Sequence, residues 1–302
     1  MNDNTASPNS AGIGPGRHDH APGLRSLRWN IDWILRPLFG IFMAIIAIAA
    51  VVGLPPKYFP WLIVLLWIPA AYEWHRMVAQ NRIETVRLCL MTGMTAVSIA
   101  AAIFLMLRGA PLVSVIPLAA GAAAAFLLGR DSNSLWQAAG VGYLGLPALA
   151  LVALRVYPDP AHGARVIVGL FFIVWATDTG ALVFGNLIGG PRLAPSLSPG
   201  KTWAGTIGGS LSAAIVYGCY IGLIGGPMEV AALFAFWFSA VAHGGDLLES
   251  FVKRRFGFKD SGSMIPGHGG VLDRLDSTFA AAVALAILVF GAHLNPLFWG
   301  HL

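Results

Sequence analysis

Charge and cysteine are both scarce in this chain of 302 residues. Charged residues make up 11% of it and cysteine occurs twice, whereas hydrophobic residues reach 57%. That apolar content exceeds the roughly 45–50% of ordinary globular chains, so a soluble protein is not expected. Cys89 and Cys219 lie within apolar runs, which favours core packing over a disulfide or a zinc site. Residues 1–27, which are rich in Asn, Ser, Gly, Pro and His, predict a disordered cytoplasmic tail without a signal peptide.

Long apolar runs fill most of the remaining chain. A transmembrane helix needs about 20 apolar residues, because the hydrocarbon core is about 30 Å thick. The runs predict an all-α, polytopic membrane bundle of about nine transmembrane helices, with eight as the alternative, since a β-barrel would show short alternating segments. The predicted spans are 38–54, 60–74, 88–107, 112–128, 136–154, 166–184, 203–224, 230–248 and 277–294. We divide the bundle into N-terminal transmembrane helices at 28–165 and a C-terminal region at 166–302, with cytoplasmic loops at 185–202 and 249–276.

The basic residues set the predicted orientation of the bundle. The N-terminal tail and the even-numbered loops carry more Lys and Arg than the odd-numbered loops. Because positively charged loops tend to stay in the cytoplasm, the N-terminus and both long loops are predicted to be cytoplasmic. The net charge of +5 therefore suits anionic lipid headgroups, and nucleic acid is not an expected partner.

The stretch from residue 245 to residue 277 concentrates the charge that the rest of the chain lacks. Its five acids and five bases are Asp246, Glu249, Asp260, Asp273 and Asp276 with Lys253, Arg254, Arg255, Lys259 and Arg274. Carboxylates can hold a divalent metal, whereas bases and glycine amides bind phosphates. A membrane protein with both groups beside the lipid surface is expected to handle a phosphorylated substrate.

The spacing of these residues indicates common helix faces. If the eighth helix continues past the membrane, the residues at i, i+3, i+4 and i+7 are Asp246, Glu249, Ser250 and Lys253. The residues that repeat i, i+3 and i+4 at the start of the last helix are Asp273, Asp276 and Ser277. Two acidic faces are thus expected to approach each other and to offer Mg²⁺ the one or two carboxylates that it prefers. Alternatively, Asp273 and Asp276 only favour a helix N-terminus electrostatically.

A glycine-rich turn, Pro266-Gly267-His268-Gly269-Gly270, separates the two acidic segments. Its glycines allow backbone amides to come close to a phosphate. His268 could act as an acid, a base or a ligand, and a hydrogen bond to phosphate accounts for it at least as well as proton transfer.

Two further polar segments interrupt the apolar runs. Asp178 lies inside the sixth run, where an unpaired charge costs roughly 3 kcal/mol or more, and it predicts a metal or nucleotide contact or a bond to a neighbouring helix. Gly200-Lys201-Thr202 invites a Walker A interpretation, but Pro195 stands where the first glycine is required and no strand is expected before it. We reject the P-loop. Lys201 and Thr202 at a helix N-terminus predict either an anion site or an ordinary loop-to-helix junction.

The segment from Ser250 to Asp276 resembles the signature of the phosphatidate cytidylyltransferases, also called CDP-diacylglycerol synthases. The matching residues are Ser250, Lys253-Arg254, Lys259-Asp260, Pro266-Gly267-His268-Gly269-Gly270 and Asp273-Arg274-Leu275-Asp276. Upstream, the resemblance extends through Asp178-Thr179-Gly180-Ala181, Leu193-Ala194-Pro195 and Ser198-Pro199-Gly200-Lys201-Thr202-Trp203, and it covers about 175–290. The chain departs from the family pattern at Leu182, Gly190, Ser196 and Ala204.

The resemblance implies a magnesium-dependent nucleotidyltransferase of phospholipid biosynthesis, with its catalytic region at 166–302. CTP and phosphatidic acid would give CDP-diacylglycerol and pyrophosphate, at an active site that faces the cytoplasm from the inner membrane of a bacterium. Membrane lipids are the expected surroundings, and a second metal ion and a homodimer are left open. The metal ligands would be Asp246 and Asp273, supported by Asp178 and Asp276. The catalytic residues would be Asp246, Asp273, Lys201, Lys253 and His268. The substrate-binding residues would be Ser198, Lys201, Thr202, Ser250, Lys253, Arg254, Lys259, Gly267, His268, Gly269, Gly270 and Arg274.

Other functions account for part of the same pattern. A CTP-using lipid kinase would transfer the terminal phosphoryl group to an alcohol, and a lipid-phosphate transporter would move its substrate without turnover of CTP. A CDP-alcohol phosphotransferase is a weaker alternative, because the chain has no Asp-Gly-x-x-Ala-Arg pattern.

Overall fold

The structure is a computed structural model, and it describes residues 38, 40–129, 133–156, 159–264 and 269–297. The predicted tail at 1–27 lies outside the described residues. Compactness divides the chain into a unit of Met1–Met43, of which only the start of the first helix is described, and a unit of Ala44–Leu302. The elements are α1 (Gly40–Gly53), α2 (Phe59–Val78), α3 (Thr85–Leu107), α4 (Val115–Gly129), α5 (Ser134–Val156), α6 (Pro160–Ile188), β1 (Arg192–Ala194), β2 (Ser198–Thr202), α7 (Trp203–Leu223), α8 (Met228–Arg255), a 3₁₀ turn (Leu272–Arg274), α9 (Asp276–Ala286) and a π-helical turn (Ile287–Gly291).

Five helices are long and apolar enough to cross a membrane, namely α3, α5, α6, α7 and α8. Helices α1 and α4 are apolar but shorter, as is the helix that begins at Asp276, whereas α2 carries Glu73, His75 and Arg76 near its end. The predicted helical membrane class is therefore confirmed, and this chain is an integral membrane protein. The number of crossings and the side of the N-terminus stay predictions.

Two helix ends determine how the charged loop is arranged. Helix α8 runs to Arg255 rather than to residue 248, so it carries the acidic face expected from Asp246 onward. Asp273 is not part of the last helix, because it lies in the 3₁₀ turn and α9 begins only at Asp276. Asp273 therefore lies in the turn at the entrance of the last helix, inside the predicted loop 249–276, and only Asp276 and Ser277 of the expected repeat belong to α9.

A β-hairpin, which the sequence analysis did not predict, joins α6 to α7. Its strands β1 and β2 are antiparallel, with Arg192 opposite Thr202. Gly189 and Gly190 have φ angles of 68° and 94°, a region that favours glycine, and they let the chain turn sharply out of α6. A strand does precede Lys201, contrary to expectation. The P-loop is still rejected, because Lys201 and Thr202 belong to β2 itself instead of a loop that follows a strand.

Glycine allows the helices that carry the charged residues to approach closely. Helix α6 packs along α7, α7 along α8, and α8 along α9, while α2 packs against α3 and α5. A Cβ at Gly205 would lie 2.7 Å from the carbonyl oxygen of Ala181, and one at Gly209 would lie 2.6 Å from that of Thr177. The backbones of α6 and α7 are therefore in direct contact beside the hairpin, as small residues permit in membrane bundles.

Candidate active site

The hairpin brings Lys201 into contact with α8. Thr202 is the N-cap of α7, and its side-chain oxygen accepts a hydrogen bond from the backbone N–H of Gly205 at 3.0 Å. This cap fixes the direction of the preceding residue, Lys201. The Lys201 ammonium forms a salt bridge with the carboxylate of Asp246 on α8, and both side chains are partly exposed. The two segments that the sequence analysis assigned to one site thus meet through these residues.

Asp246 belongs to a group of three carboxylates from three helices. Asp178 on α6 and Asp276 on α9 both lie close enough to Asp246 for their charges to repel one another. Ser277 links Asp178 to Asp276, because its hydroxyl lies 3.4 Å from Oδ1 of Asp178 and 3.3 Å from Oδ1 of Asp276. Asp276 is buried. Among the described residues, only Lys201 forms a salt bridge with this carboxylate group.

A second cluster surrounds Lys253, which is buried near the end of α8. Its ammonium lies 2.7 Å from Oδ1 of Asp273 and 3.3 Å from Oε1 of Glu249. Asp273 also accepts hydrogen bonds from the backbone N–H groups of Ser261, at 3.1 and 2.9 Å, and of Gly270, at 2.9 Å. Burial alone would raise the pKa of Asp273, but the Lys253 ammonium and these N–H donors hold it below its ordinary value of 3.8. Asp273 is therefore an ionised anchor for the loop between α8 and α9.

The carboxylates of the site fit a divalent cation by charge and by donor type. Mg²⁺ prefers oxygen ligands and binds through one or two carboxylates. Asp178, Asp246 and Asp276 provide such oxygens and more negative charge than Lys201 offsets. The oxygens of Asp273 already accept hydrogen bonds from the loop and from Lys253. In the part of the chain that the structure describes, no three His, Cys, Asp or Glu side chains form a coordination shell. The oxygen donors of the three aspartates are thus of the type that a divalent metal binds. Their side chains are not arranged as a complete coordination shell.

Arg254, which was expected to bind phosphate, forms hydrogen bonds to both long loops. Its guanidinium donates to the carbonyl oxygens of Leu197, at 3.4 Å, and of Phe258, at 3.0 Å. The two Arg254 contacts connect the hairpin to the end of α8. Ser250, also on α8, lies one turn after Asp246 and donates to Oδ1 of that residue at 3.4 Å.

The other expected substrate-binding residues fall into two groups. Those that the structure describes are Ser198 in β2, the exposed Lys259 and Arg274, and Gly269 and Gly270 just before the 3₁₀ turn. Gly267 and His268 lie outside the described residues. Their expected contacts with phosphate stay predictions.

Glu73 and His243, which no sequence motif indicated as site residues, both reach these clusters. Glu73 on α2 accepts hydrogen bonds from the loop that holds Asp273. His243 lies one turn before Asp246, with Nε2 3.3 Å from the carbonyl oxygen of Thr206, and it is near Lys201. Both are ionisable groups inside apolar helices, which is the signal that singled out Asp178 and could have identified them too.

Known proteins resemble this chain over 44% to 73% of its length. The model of the cytidylyltransferase family matches residues 34–291. The phosphatidate cytidylyltransferase of Brucella suis biovar 1 is 42% identical over 226 residues, which cover 73% of this chain and 79% of that protein. The Haemophilus influenzae enzyme of the same name is 41% identical over 138 residues, or 44% of this chain and 48% of its own. That of Helicobacter pylori strain 26695 is 40% identical over 153 residues, or 50% and 53%.

The family match also covers the first half of the bundle. The motifs alone indicated a resemblance over about 175–290, whereas the family model begins at residue 34. Helices α1 to α5 therefore lie within the matched region, together with the Lys201 and Asp246 pair. This chain belongs to the cytidylyltransferase family and is a membrane-embedded nucleotidyltransferase.

Proposed function

We propose that this chain transfers the cytidylyl group of CTP to phosphatidic acid, which gives CDP-diacylglycerol and pyrophosphate. An oxygen of the lipid phosphate attacks the α-phosphorus of CTP. The bond from that phosphorus to the oxygen bridging the β-phosphorus breaks, and pyrophosphate leaves with the bonding electrons. The names of the relatives from Brucella suis and Haemophilus influenzae agree with this reaction.

The observation that carries the proposal is the contact of Lys201 with Asp246, next to Asp178 and Asp276, within helices that are apolar over most of their length. Both reactants are anions, so the site must offset negative charge and align the reactants. Lys201 supplies a cation at the N-terminus of α7, where helix N–H groups also favour phosphate. A strong general base is not required, because a phosphate monoester is mostly ionised near neutral pH.

We assign the metal site to the aspartate group rather than to Asp273. Asp246, Asp178 and Asp276 would hold Mg²⁺, and the Ser277 hydroxyl lies between the last two. When bound, the ion would offset charge on the triphosphate and on the departing pyrophosphate. A metal bond from Asp273 stays a prediction, because its hydrogen bonds already give it a part in holding the loop.

One labelling experiment tests the reaction. Purified protein is incubated with phosphatidic acid, Mg²⁺ and CTP labelled at either the α- or the γ-phosphorus, and the lipids are identified by mass spectrometry. We expect the α-label in a lipid with the mass of CDP-diacylglycerol and the γ-label in pyrophosphate. A lipid kinase would place the γ-label in lipid, and a transporter would leave CTP intact. Either result would overturn the proposal.

We also propose that the site faces the bacterial cytoplasm, where CTP is available. The two basic loops that contribute residues to the site, 185–202 and 249–276, support this orientation. Single cysteines introduced at 201 and at the exposed position 259, after replacement of Cys89 and Cys219, should react from the same side of sealed inner-membrane vesicles. Labelling of the two positions from opposite sides would contradict a shared site.

A further inference from the structure

Glu73 reaches across the bundle to the loop that holds Asp273. It lies on α2 and is 2% exposed. Its Oε2 accepts hydrogen bonds from the Ser261 hydroxyl, at 3.2 Å, and from the Leu272 N–H, at 2.9 Å, while Oε1 accepts one from the Val271 N–H at 3.1 Å. Every donor belongs to the charged loop between α8 and α9, almost 200 residues further along the chain.

We propose that Glu73 is a positioning residue for cytidylyl transfer, acting on the reaction through Asp273 and Lys253. Ser261 provides the connection, because its hydroxyl bonds to Glu73 while its backbone N–H bonds to both oxygens of Asp273. Leu272, the second residue held by Glu73, directly precedes Asp273. Asp273 in turn holds the Lys253 ammonium at 2.7 Å. The inference rests on the proposed function and extends it to the N-terminal half of the bundle.

The loop is shaped to close around the Glu73 carboxylate. A Cβ at Gly262 would lie 2.8 Å from Cδ of Glu73, and a Cβ at Gly270 would lie 2.6 Å from its Oε2. Only glycine allows the loop backbone to come this close. No salt bridge to Glu73 occurs among the described residues, and its carboxylate serves the loop as a hydrogen-bond acceptor.

Glu73 is carried by a rigid support. On α2, the Trp67 indole donates to the carbonyl oxygen of Leu144 at 2.7 Å, and the Trp74 indole donates to that of Trp136 at 3.0 Å. Both acceptors belong to α5, so these bonds fix the position of α2 along α5. A site residue held by a fixed element keeps its geometry better than one held by a loop alone.

The test is Glu73→Gln, which keeps the shape but turns an NH₂ group toward backbone N–H donors. We expect kcat per folded molecule to fall about 10- to 100-fold, as for other losses of alignment, while the KM for CTP changes less than about threefold. Combined with Asp273→Asn, it should cost little more than Asp273→Asn alone, because both changes release the same loop. Glu73→Asp, which keeps the charge, should recover part of the loss.

His75 provides the matched control, since it is equally buried two residues along α2. Its partners are Gln137 and Thr95 rather than the loop. His75→Gln should lower the melting temperature and leave kcat per folded molecule unchanged.

The alternative is that Glu73 only stabilises the fold. It predicts a lower melting temperature for Glu73→Gln with normal kcat per folded molecule and additive effects with Asp273→Asn, and this result would overturn the inference. If Glu73→Gln does not accumulate, Ser261→Ala removes the connecting hydroxyl from the loop side, and a normal kcat in that variant would overturn it equally. An inactive wild-type protein would instead count against the proposed function.

Discussion

The helices α2–α5 and the helices α6–α9 both bury polar groups, but they satisfy them differently. In α2–α5, the two ring nitrogens of His75 lie 2.7 Å from Gln137 and 2.9 Å from Thr95, and Gln137 donates back to the carbonyl oxygen of His75 at 3.2 Å. Arg155 at the end of α5 donates to the carbonyl oxygens of Val51 and Pro160. The partners of His75 and Arg155 are thus neutral side chains or carbonyl oxygens, and neither group lies against a charge of its own sign.

In α6–α9, by contrast, carboxylates lie close to other carboxylates. Asp178, Asp246 and Asp276 repel one another, and Glu249 is fully buried beside Asp276 with Lys253 at 3.3 Å. Such crowding opposes folding unless a cation or a shared proton balances it, and it is compatible with a site that binds a cation. The difference indicates that α2–α5 form a scaffold and α6–α9 carry the chemistry, with Glu73 as one polar contact between them.

The largest expected effect is that of Asp246→Asn. The substitution keeps the shape of the side chain but removes one negative charge from the aspartate group. Lys201 thereby loses its anionic partner. We expect turnover to fall about 100- to 1000-fold, the usual cost of losing one strong electrostatic contact in a transition state. CDP-lipid formation per folded molecule across a Mg²⁺ titration measures it.

Asp159→Asn is the control for Asp246→Asn. The Asp159 side chain caps the start of α6 by accepting from the N–H groups of Ala161 and His162, and asparagine can also cap. Turnover should be normal in this variant. Near-normal activity in Asp246→Asn would remove Asp246 from the proposed metal site and weaken the division between scaffold and chemistry.

Lys201→Ala should have the next largest effect. The loss of one hydrogen bond from a charged donor to a phosphate costs about 1.5–3 kcal/mol, which corresponds to a decrease in kcat/KM of about 10- to 100-fold. Steady-state kinetics with varied CTP measure this decrease. Lys57→Ala, which removes a cation packed over the Tyr58 ring, should leave kcat/KM unchanged. An equal decrease in kcat/KM in the two lysine variants would mean that the hairpin has only a structural role.

Asp273→Asn tests the contacts of Asp273 through the pH dependence of stability. Because the folded pKa of Asp273 lies below its ordinary value of 3.8, the ionised group stabilises the fold above that pH. This contribution is lost as the pH falls through the lower folded pKa. The difference in melting temperature between wild type and Asp273→Asn should therefore be steady from neutral pH to about 4 and should shrink in more acidic buffer. A difference that grows with acidity would contradict the assigned contacts.

The smallest effect is expected from Thr95→Val in the scaffold. It removes the hydroxyl partner of His75 Nε2 with little change of shape. A lost buried hydrogen bond costs about 1–3 kcal/mol of stability, so the melting temperature should fall while turnover per folded molecule stays normal. A loss of turnover as large as that of Lys201→Ala would show that α2–α5 are more than a scaffold.

Much of the site was accessible from local sequence because its residues lie in short, dense motifs. Asp246 and Lys253 share a helix face whose spacing could be counted, and the family pattern indicated Lys201 and Asp178 as their partners. The position of Asp273 at the entrance of the last helix was predicted, but its 3₁₀ turn was not, because that turn depends on how the loop folds back onto Ser261 and Lys253. The hairpin was missed because its strands are too short to show an alternating pattern.

The sequence by itself determined the membrane class, the approximate positions of the helices and the family. These follow from hydropathy, helical spacing and contiguous motifs, all of which act over a few turns of chain. Only the tertiary structure decided that Glu73 binds Leu272, that Lys201 pairs with Asp246, and that Asp273 serves the loop. Such contacts join segments that are distant in the sequence. They form because helix packing brings an acceptor to buried donors, which would otherwise have no hydrogen-bond partner.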